Sequence, residues 1–206
     1  MILLVLKIIV VAYVLGSFPS GVLTTRHTGK DITQTGSGNT GTANTFRIFG
    51  WRLALIVFVL DVAKGLLPIF IAKYFEVPPV YFPVIGFFAI IGHCFSIFLK
   101  FKFRGKGGAT GLGVLLGINF LIGLIMLLIW IGVLVWLRLS SVATLSSAII
   151  LVFLGLGFRV ELFNEIFFVV IAISIFLTHR KNIIRLFNEG EPDFFDPEKR
   201  ISWRVC

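Results

Sequence analysis

Residues 109–137 read ATGLGVLLGINFLIGLIMLLIWIGVLVWL, 29 consecutive positions without a charged side chain. As one helix this stretch would be about 43 Å long at about 1.5 Å per residue, well beyond the roughly 30 Å of hydrocarbon in a bilayer. Division near Gly117–Asn119 removes the excess, giving a short membrane-embedded helix, about Ala109–Gly117, and a full helix, about Phe120–Leu137. At about 14 Å the short helix crosses only where the bilayer thins or the chain is partly re-entrant.

On either side lie further runs long enough to span: Ile2–Leu23, Trp51–Phe75, Val80–Leu99, Ser140–Gly157 and Leu162–Thr178. The whole chain has 206 residues, 57% hydrophobic and 14% charged, with a mean hydropathy of +1.00. A soluble globular domain has about a quarter charged residues, and disorder needs low hydrophobicity with high charge; both classes are excluded. No cleaved signal peptide is expected, because Ile2 to Leu6 are apolar ahead of the first charge, Lys7, and no A-x-A site follows. Cys94 and Cys206 offer neither a disulfide framework nor a metal cluster.

Charge orients the spans. Of 19 Lys and Arg, 14 fall in Thr24–Arg52, Lys100–Gly108 and His179–Cys206, which the positive-inside rule places in the cytoplasm. The net charge of +9 then reflects basic loops and anionic membrane lipids, and nucleic acid is not an expected partner. The expectation is an all-α polytopic integral membrane protein of about seven transmembrane helices, one short, with the N-terminus outside and the C-terminus cytoplasmic. It forms one domain over 1–206 with cytoplasmic motif loops at about 24–50, 100–110 and 179–206. Five spans would also keep the tail inside.

Three basic segments carry chemistry. The first contains Gly36-Ser37-Gly38-Asn39-Thr40-Gly41-Thr42-Ala43-Asn44-Thr45-Phe46-Arg47. Its glycines let backbone N–H groups turn toward an anion, and Arg47 can grip a phosphate with a bidentate fork. The G-x-x-x-x-G-K-[ST] spacing of a Walker loop is missing; the alternative is a flexible linker. In the second segment, Gly105-Lys106-Gly107-Gly108 opens the short helix, whose N-terminus attracts anions, while Lys100 and Lys102 fit an interfacial anchor. In the third, His179 and Asn182 lie three apart on one face of a continuing helix, and Arg180, Lys181 and Arg185 read as headgroup contacts. Asp61 and Lys64 sit inside a span, where charges are paired or functional; they read as a pair supporting the polar site, with direct substrate contact as the equal alternative. Ser140 and Ser141 add hydroxyls, and His93 at a helix end reads as structural.

Together these residues resemble the acyl-phosphate-dependent glycerol-3-phosphate acyltransferases of bacteria, the PlsY family. The resemblance runs through Gly16-Ser17-Phe18-Pro19, the Gly36–Arg47 motif, Asp61-x-x-Lys64-Gly65-x-x-Pro68, Gly92-His93-x-Phe95-Ser96, Gly105-Lys106-Gly107, Ser140-Ser141, and His179-x-x-Asn182-x-x-Arg185-Leu186-x-x-Gly190-x-Glu191. Departures are Thr42-Ala43-Asn44 where the family often has Ala-Thr-Asn, and Arg104-Gly105-Lys106-Gly107-Gly108 where it often has Gly-Gly-Lys-Gly-Val. The H-x-x-x-x-D signature of the other main membrane acyltransferases is missing.

The resemblance implies transfer of a fatty acyl group from acyl phosphate to the 1-hydroxyl of sn-glycerol 3-phosphate, giving lysophosphatidate and inorganic phosphate in phospholipid biosynthesis at the bacterial cytoplasmic membrane. It implies that Ser37, Arg47, Lys106 and Asn182 hold glycerol phosphate, with His179 near its hydroxyls. His179 and Ser37 would act by positioning, with no obligatory side-chain base. Gly38, Asn39, Thr40, Gly41, Thr42 and Asn44, with Ser140 and Ser141, would hold the acyl phosphate, the loop amides stabilising the departing charge. Asp61, Lys64, His93, Gly105, Gly107 and Glu191 would support the site. No metal set is visible among the ten acids, and an acyl phosphate brings its own leaving group, so no cofactor is required. The competing reading is a transporter for a phosphorylated solute, which calls for polar residues near the midplane of several helices and often internal symmetry.

Overall fold

Every apolar run identified in the sequence is helical, and one motif read as a loop contains a helix as well. The computed structural model describes residues 1–158, 160–188 and 193–195. In chain order its helices are α1 (Ile2–Gly16), α2 (Ser20–Thr25), α3 (Thr42–Phe49), α4 (Trp51–Tyr74), α5 (Phe82–Cys94), α6 (Gly108–Ile118), α7 (Phe120–Leu137), α8 (Ser140–Phe158), α9 (Leu162–Thr178) and α10 (Arg180–Asn188). Among the described residues there is no strand, only an isolated bridge between Phe95 and Phe103.

The stretches Ile2–Thr28, Trp51–Tyr74, Phe120–Leu137 and Ser140–Phe158 are long and apolar enough to cross a membrane; α9 and α10 would add a fifth only if the pair, bent by 56° at their junction, were one span. The apolar helices α5 and α6 are shorter, at 13 and 11 residues. The division of the 29-residue run falls at Asn119, whose side chain accepts from the Ile122 N–H and caps α7.

Three local expectations need correction. The first apolar run is two helices, since α1 stops at Gly16 and Pro19, which disfavours helix in the residue before it, precedes α2. The break frees backbone carbonyls that lipid cannot satisfy. Ser96 Oγ donates to Ser17 O, and Lys64 Nζ donates to Phe18 O at 3.0 Å. Second, the glycine-rich stretch becomes helical from Thr42, so Thr42, Asn44 and Arg47 stand on a helix. Third, the chain does not continue straight through His179: α9 ends there, and Asn182 and Ile183 both donate their N–H to the His179 carbonyl to start α10.

Small residues set the packing, as membrane helix contacts require. Gly65 of α4 lies against the Thr110 carbonyl of α6, and Gly113 of α6 against the Val62 carbonyl of α4. Gly16 and Gly92 bring α1 and α5 together in the same way, against Ala89 and Tyr13. These contacts hold the ends of α5 and α6, with His93 and Lys106, close to α4 and its Asp61. Large apolar side chains such as Leu3, Val135, Trp136 and Leu177 remain exposed around the outside, as a lipid-facing surface requires.

Candidate active site

One cavity of about 170 Å³ gathers residues from all three motif segments. Its polar end is lined by Ser37, Asn39, Gly41, Thr42, Asn44 and Arg47, by Asp61 and His93, by Lys106 and Gly107, by Ser140 and Ser141, and by His179 and Asn182. From there an apolar lobe runs between α6, α7, α8 and α9 past Leu112, Trp130, Ala148 and Ile175. Gly38, Thr40, Lys64 and Gly105 do not line it, and Glu191 lies outside the described residues.

The loop before α3 is built around Asn44. This side chain is 2% exposed; its Nδ2 donates to the carbonyls of Asn39 at 2.8 Å, Thr35 at 3.0 Å and Ile32 at 3.4 Å, while its Oδ1 accepts from the Ser37 N–H at 2.9 Å. Asn44 therefore shapes the loop, and its amide is not left over for a phosphate. The expected cradle of loop amides also needs correction. The N–H groups of Ser37, Gly38, Thr40 and Gly41 go to Asn44 Oδ1, Thr35 O, Arg104 O and Asn39 Oδ1. Nearby donors that remain are the first amides of α3, Thr42 and Ala43, which a helix start leaves without intrahelical partners, and the Thr42 hydroxyl, buried without a partner among the described residues.

Arg104, one of the departures noted above, clamps this loop to the second motif. Its Nη1 donates to Thr33 O at 2.7 Å, and its carbonyl accepts from both the Thr40 N–H at 2.9 Å and the Thr40 hydroxyl at 3.2 Å. Gly38 has φ +67, and a Cβ there would stand 3.1 Å from Thr33 O and 3.2 Å from Arg104 Nη1. Only glycine suits that backbone conformation at so close an approach.

Around the cavity the cations are fixed by neutral or opposite groups. Lys106 Nζ donates to Asn182 Oδ1 at 2.6 Å, joining the second and third motifs. Arg47 Nη2 donates to Ser140 Oγ at 3.2 Å, so the two residues assigned to different phosphates touch. Gly107, with φ +84, turns the chain into α6. Deeper down, Asp61 pairs with Lys64 Nζ at 2.8 Å, lies 3.6 Å from His93 Nδ1, and accepts from Ser20 Oγ. The glycine at 105 lets the second motif pass directly against the His93 ring. Lys64 is committed to Asp61 and to the carbonyl freed before Pro19, so that Asp61 lines the cavity and Lys64 stands behind it.

His179, just beyond α9, is 6% exposed. Burial and the Lys106 ammonium push its pKa down to about 3, so it is neutral at physiological pH. Its Nδ1 lies 2.9 Å from Ile175 O. A carbonyl only accepts, so the assigned tautomer carries the proton on Nδ1 and leaves the lone pair on Nε2.

Sequence reading missed Arg104 as a clamp, and missed Phe194 entirely. Phe194 is 5% exposed, lines the cavity, stacks on Phe46 at 4.4 Å and donates its N–H to Arg138 O at 2.7 Å, while Asp193 pairs with Arg138 at 2.6 Å. A pair of phenylalanines in a polar tail carries no sequence signal for this. Among the described residues, no three His, Cys, Asp or Glu side chains gather to hold a metal.

Over residues 6–189 the chain matches the family described as Glycerol-3-phosphate acyltransferase. It is 38% identical over 179 residues to the Glycerol-3-phosphate acyltransferase of Geotalea daltonii, covering 87% of this chain and 92% of that protein. The corresponding protein of Staphylococcus carnosus is 36% identical over 210 residues, covering 98% and 100%. Among solved structures, the glycerol 3-phosphate form of PlsY, an integral membrane glycerol 3-phosphate acyltransferase, superposes with a TM-score of 0.87 at 32% identity over 95% of this chain and 97% of that one. Its lysophosphatidic acid form gives 0.85 at 31% identity over the same shares.

Proposed function

The chain belongs to the glycerol-3-phosphate acyltransferase family, and on that premise we propose that it takes its acyl group from acyl phosphate and delivers it to the 1-hydroxyl of glycerol 3-phosphate. That it is a multi-pass membrane acyltransferase acting on glycerol 3-phosphate follows from the family and from the apolar helices. The donor, the hydroxyl and the residue roles are the proposal. The observation that carries it is one amphipathic cavity: Arg47 and Lys106 stand with Ser140, Ser141 and Asn182 at its polar end, and an apolar lobe opens from that end. Such a shape takes two phosphates side by side and one acyl chain below them.

In this reading Ser37, Arg47, Lys106 and Asn182 grip the phosphate of glycerol phosphate. The Nε2 lone pair of His179 accepts from a glycerol hydroxyl and points the acceptor. The first turn of α3, Thr42 and Ala43, with Ser140 and Ser141, takes the acyl phosphate; Asn44, Asn39, Thr40 and Arg104 keep the loop in shape. The 1-hydroxyl oxygen attacks the acyl carbonyl carbon, and the new ester C–O bond forms as the C–O bond to phosphate breaks. The hydroxyl proton passes to an oxygen of the departing phosphate, which gains negative charge as its bond to carbon breaks and so is a better acceptor than the buried His179. Products are lysophosphatidate and inorganic phosphate, and atoms balance without a cofactor.

The protein lies in the cytoplasmic membrane as one domain of seven crossings, the short α6 among them, with the N-terminus outside and the polar end of the cavity facing the cytoplasm. The basic segments that frame that end support this orientation. The test is purified protein in vesicles given glycerol phosphate with acyl phosphate, acyl-CoA or acyl carrier protein thioester side by side. Lysophosphatidate should form from acyl phosphate alone; formation from a thioester but not from acyl phosphate would overturn the donor assignment.

A further inference from the structure

The apolar lobe ends at the same depth on the two helices that flank it most deeply. On α8 the cavity-lining residues run from Ser140 to Leu151 and stop; on α7 they stop at Met126. Leu151 lies eleven residues below Ser140, and Met126 eleven residues below Leu137, at the two sides of the turn that joins these helices. At about 1.5 Å per residue both are about 16 Å below the polar end, close to one leaflet of hydrocarbon, about 15 Å. Leu115 of α6 and Ile171 of α9 close the sides at the lower end.

Beneath this level the interior is filled. Ile122 of α7 and Phe167 and Phe168 of α9 sit one turn further from the polar end, are 0%, 4% and 1% exposed, and do not line the cavity. Leu151 and Met126 pack with them in one continuous core. A chain reaching Leu151 and Met126 therefore meets close-packed side chains that yield only at the cost of strain.

We propose that Met126 and Leu151 form the floor of the acyl channel and set the longest acyl chain the enzyme transfers efficiently, a specificity role that rests on the acyl-phosphate reading above. Chains of about one leaflet's depth fill the lobe, and longer ones have to displace the floor.

A ladder of saturated acyl phosphates from decanoyl to eicosanoyl, assayed with purified wild type, Leu151→Phe, Leu151→Ala and Met126→Ala, tests this. The readout is each enzyme's kcat/KM for a long donor divided by that for decanoyl phosphate, a ratio independent of the folded fraction. Overpacking at Leu151→Phe should lower the stearoyl-to-decanoyl ratio roughly 5- to 150-fold. Leu151→Ala and Met126→Ala should raise the eicosanoyl-to-decanoyl ratio above that of wild type, while Ile149→Phe, on the exposed side of α8, should leave the length profile as it is. If the three floor variants keep the wild-type profile, the floor assignment is overturned while the donor assignment stands. If wild type turns over thioesters and no acyl phosphate, the donor assignment fails, and the same ladder run with thioesters still decides the floor.

Discussion

Replacing Asn44 separates a residue that shapes the loop from one that binds substrate. Asn44→Ala removes three hydrogen bonds of good length, to Asn39 O at 2.8 Å, from Ser37 N–H at 2.9 Å and to Thr35 O at 3.0 Å; the fourth, at 3.4 Å, is too long to count for much. At about 1 kcal/mol net for each bond, the ordered loop loses about 3 kcal/mol, or about 140-fold in its equilibrium with disordered forms. Asn44→Asp should do no better than alanine, although it is nearly isosteric. It keeps an acceptor for Ser37 but turns a carboxylate oxygen toward carbonyls that need a donor. The assay is kcat and KM for both substrates, with limited proteolysis of residues 32–41. Both variants should lose kcat, weaken both substrates together and become cleavable in the loop. A rise in KM for one substrate only, with the loop as resistant as in wild type, would make Asn44 a direct ligand and refute the reasoning.

Arg47→Ala and Lys106→Ala should each raise the KM for glycerol phosphate about 10- to 150-fold, since charge-assisted bonds contribute roughly 1.5–3 kcal/mol; unchanged kinetics in folded protein would remove the residue from the phosphate site. Gly38→Leu should abolish turnover with insertion intact, because a side chain at φ +67 meets Thr33 and Arg104; an active variant would revive the flexible-linker reading. The pKa of His179, held at about 3, lies below its usual value near 6.5, so the unfolded chain takes up this proton first as pH falls. The stability that neutral His179 contributes should be complete above about pH 6.5 and lost progressively toward pH 3, a slope that His179→Asn should flatten in thermal melts. A kcat profile at saturating substrates should show no His179 step between neutral and alkaline pH. Loss of roughly 10²- to 10⁴-fold in kcat for both His179→Ala and His179→Asn would instead make the imidazole the base.

Much of the fold was legible because membrane helices announce themselves by length and apolarity, and the 29-residue run divides at Asn119 as chain length requires. The break before Pro19 was not foreseen. A proline inside an apolar run can be tolerated when neighbours satisfy the freed carbonyls, and here the neighbours are Lys64 and Ser96, distant in sequence. Helix α3 was hidden by a composition of Gly, Thr and Asn that reads as loop. Ser37, Arg47, Lys106, His179 and Asn182 were recognisable as chemistry-bearing residues, and the cavity gathers them. Asn44 looked like one of them, since sequence cannot tell a polar side chain turned toward a ligand from one turned back on its own loop. Arg104 and Phe194 were out of reach for the same reason: their partners, Thr33 and Phe46, lie far away along the chain.

The most direct test is stoichiometric. Purified protein in vesicles, supplied with acyl phosphate and glycerol 3-phosphate and nothing else, should release inorganic phosphate and form lysophosphatidate in equal amounts, with neither appearing when glycerol phosphate is left out. Phosphate released without lysophosphatidate, or lysophosphatidate formed only when a thioester is added, would contradict direct transfer from acyl phosphate in this cavity.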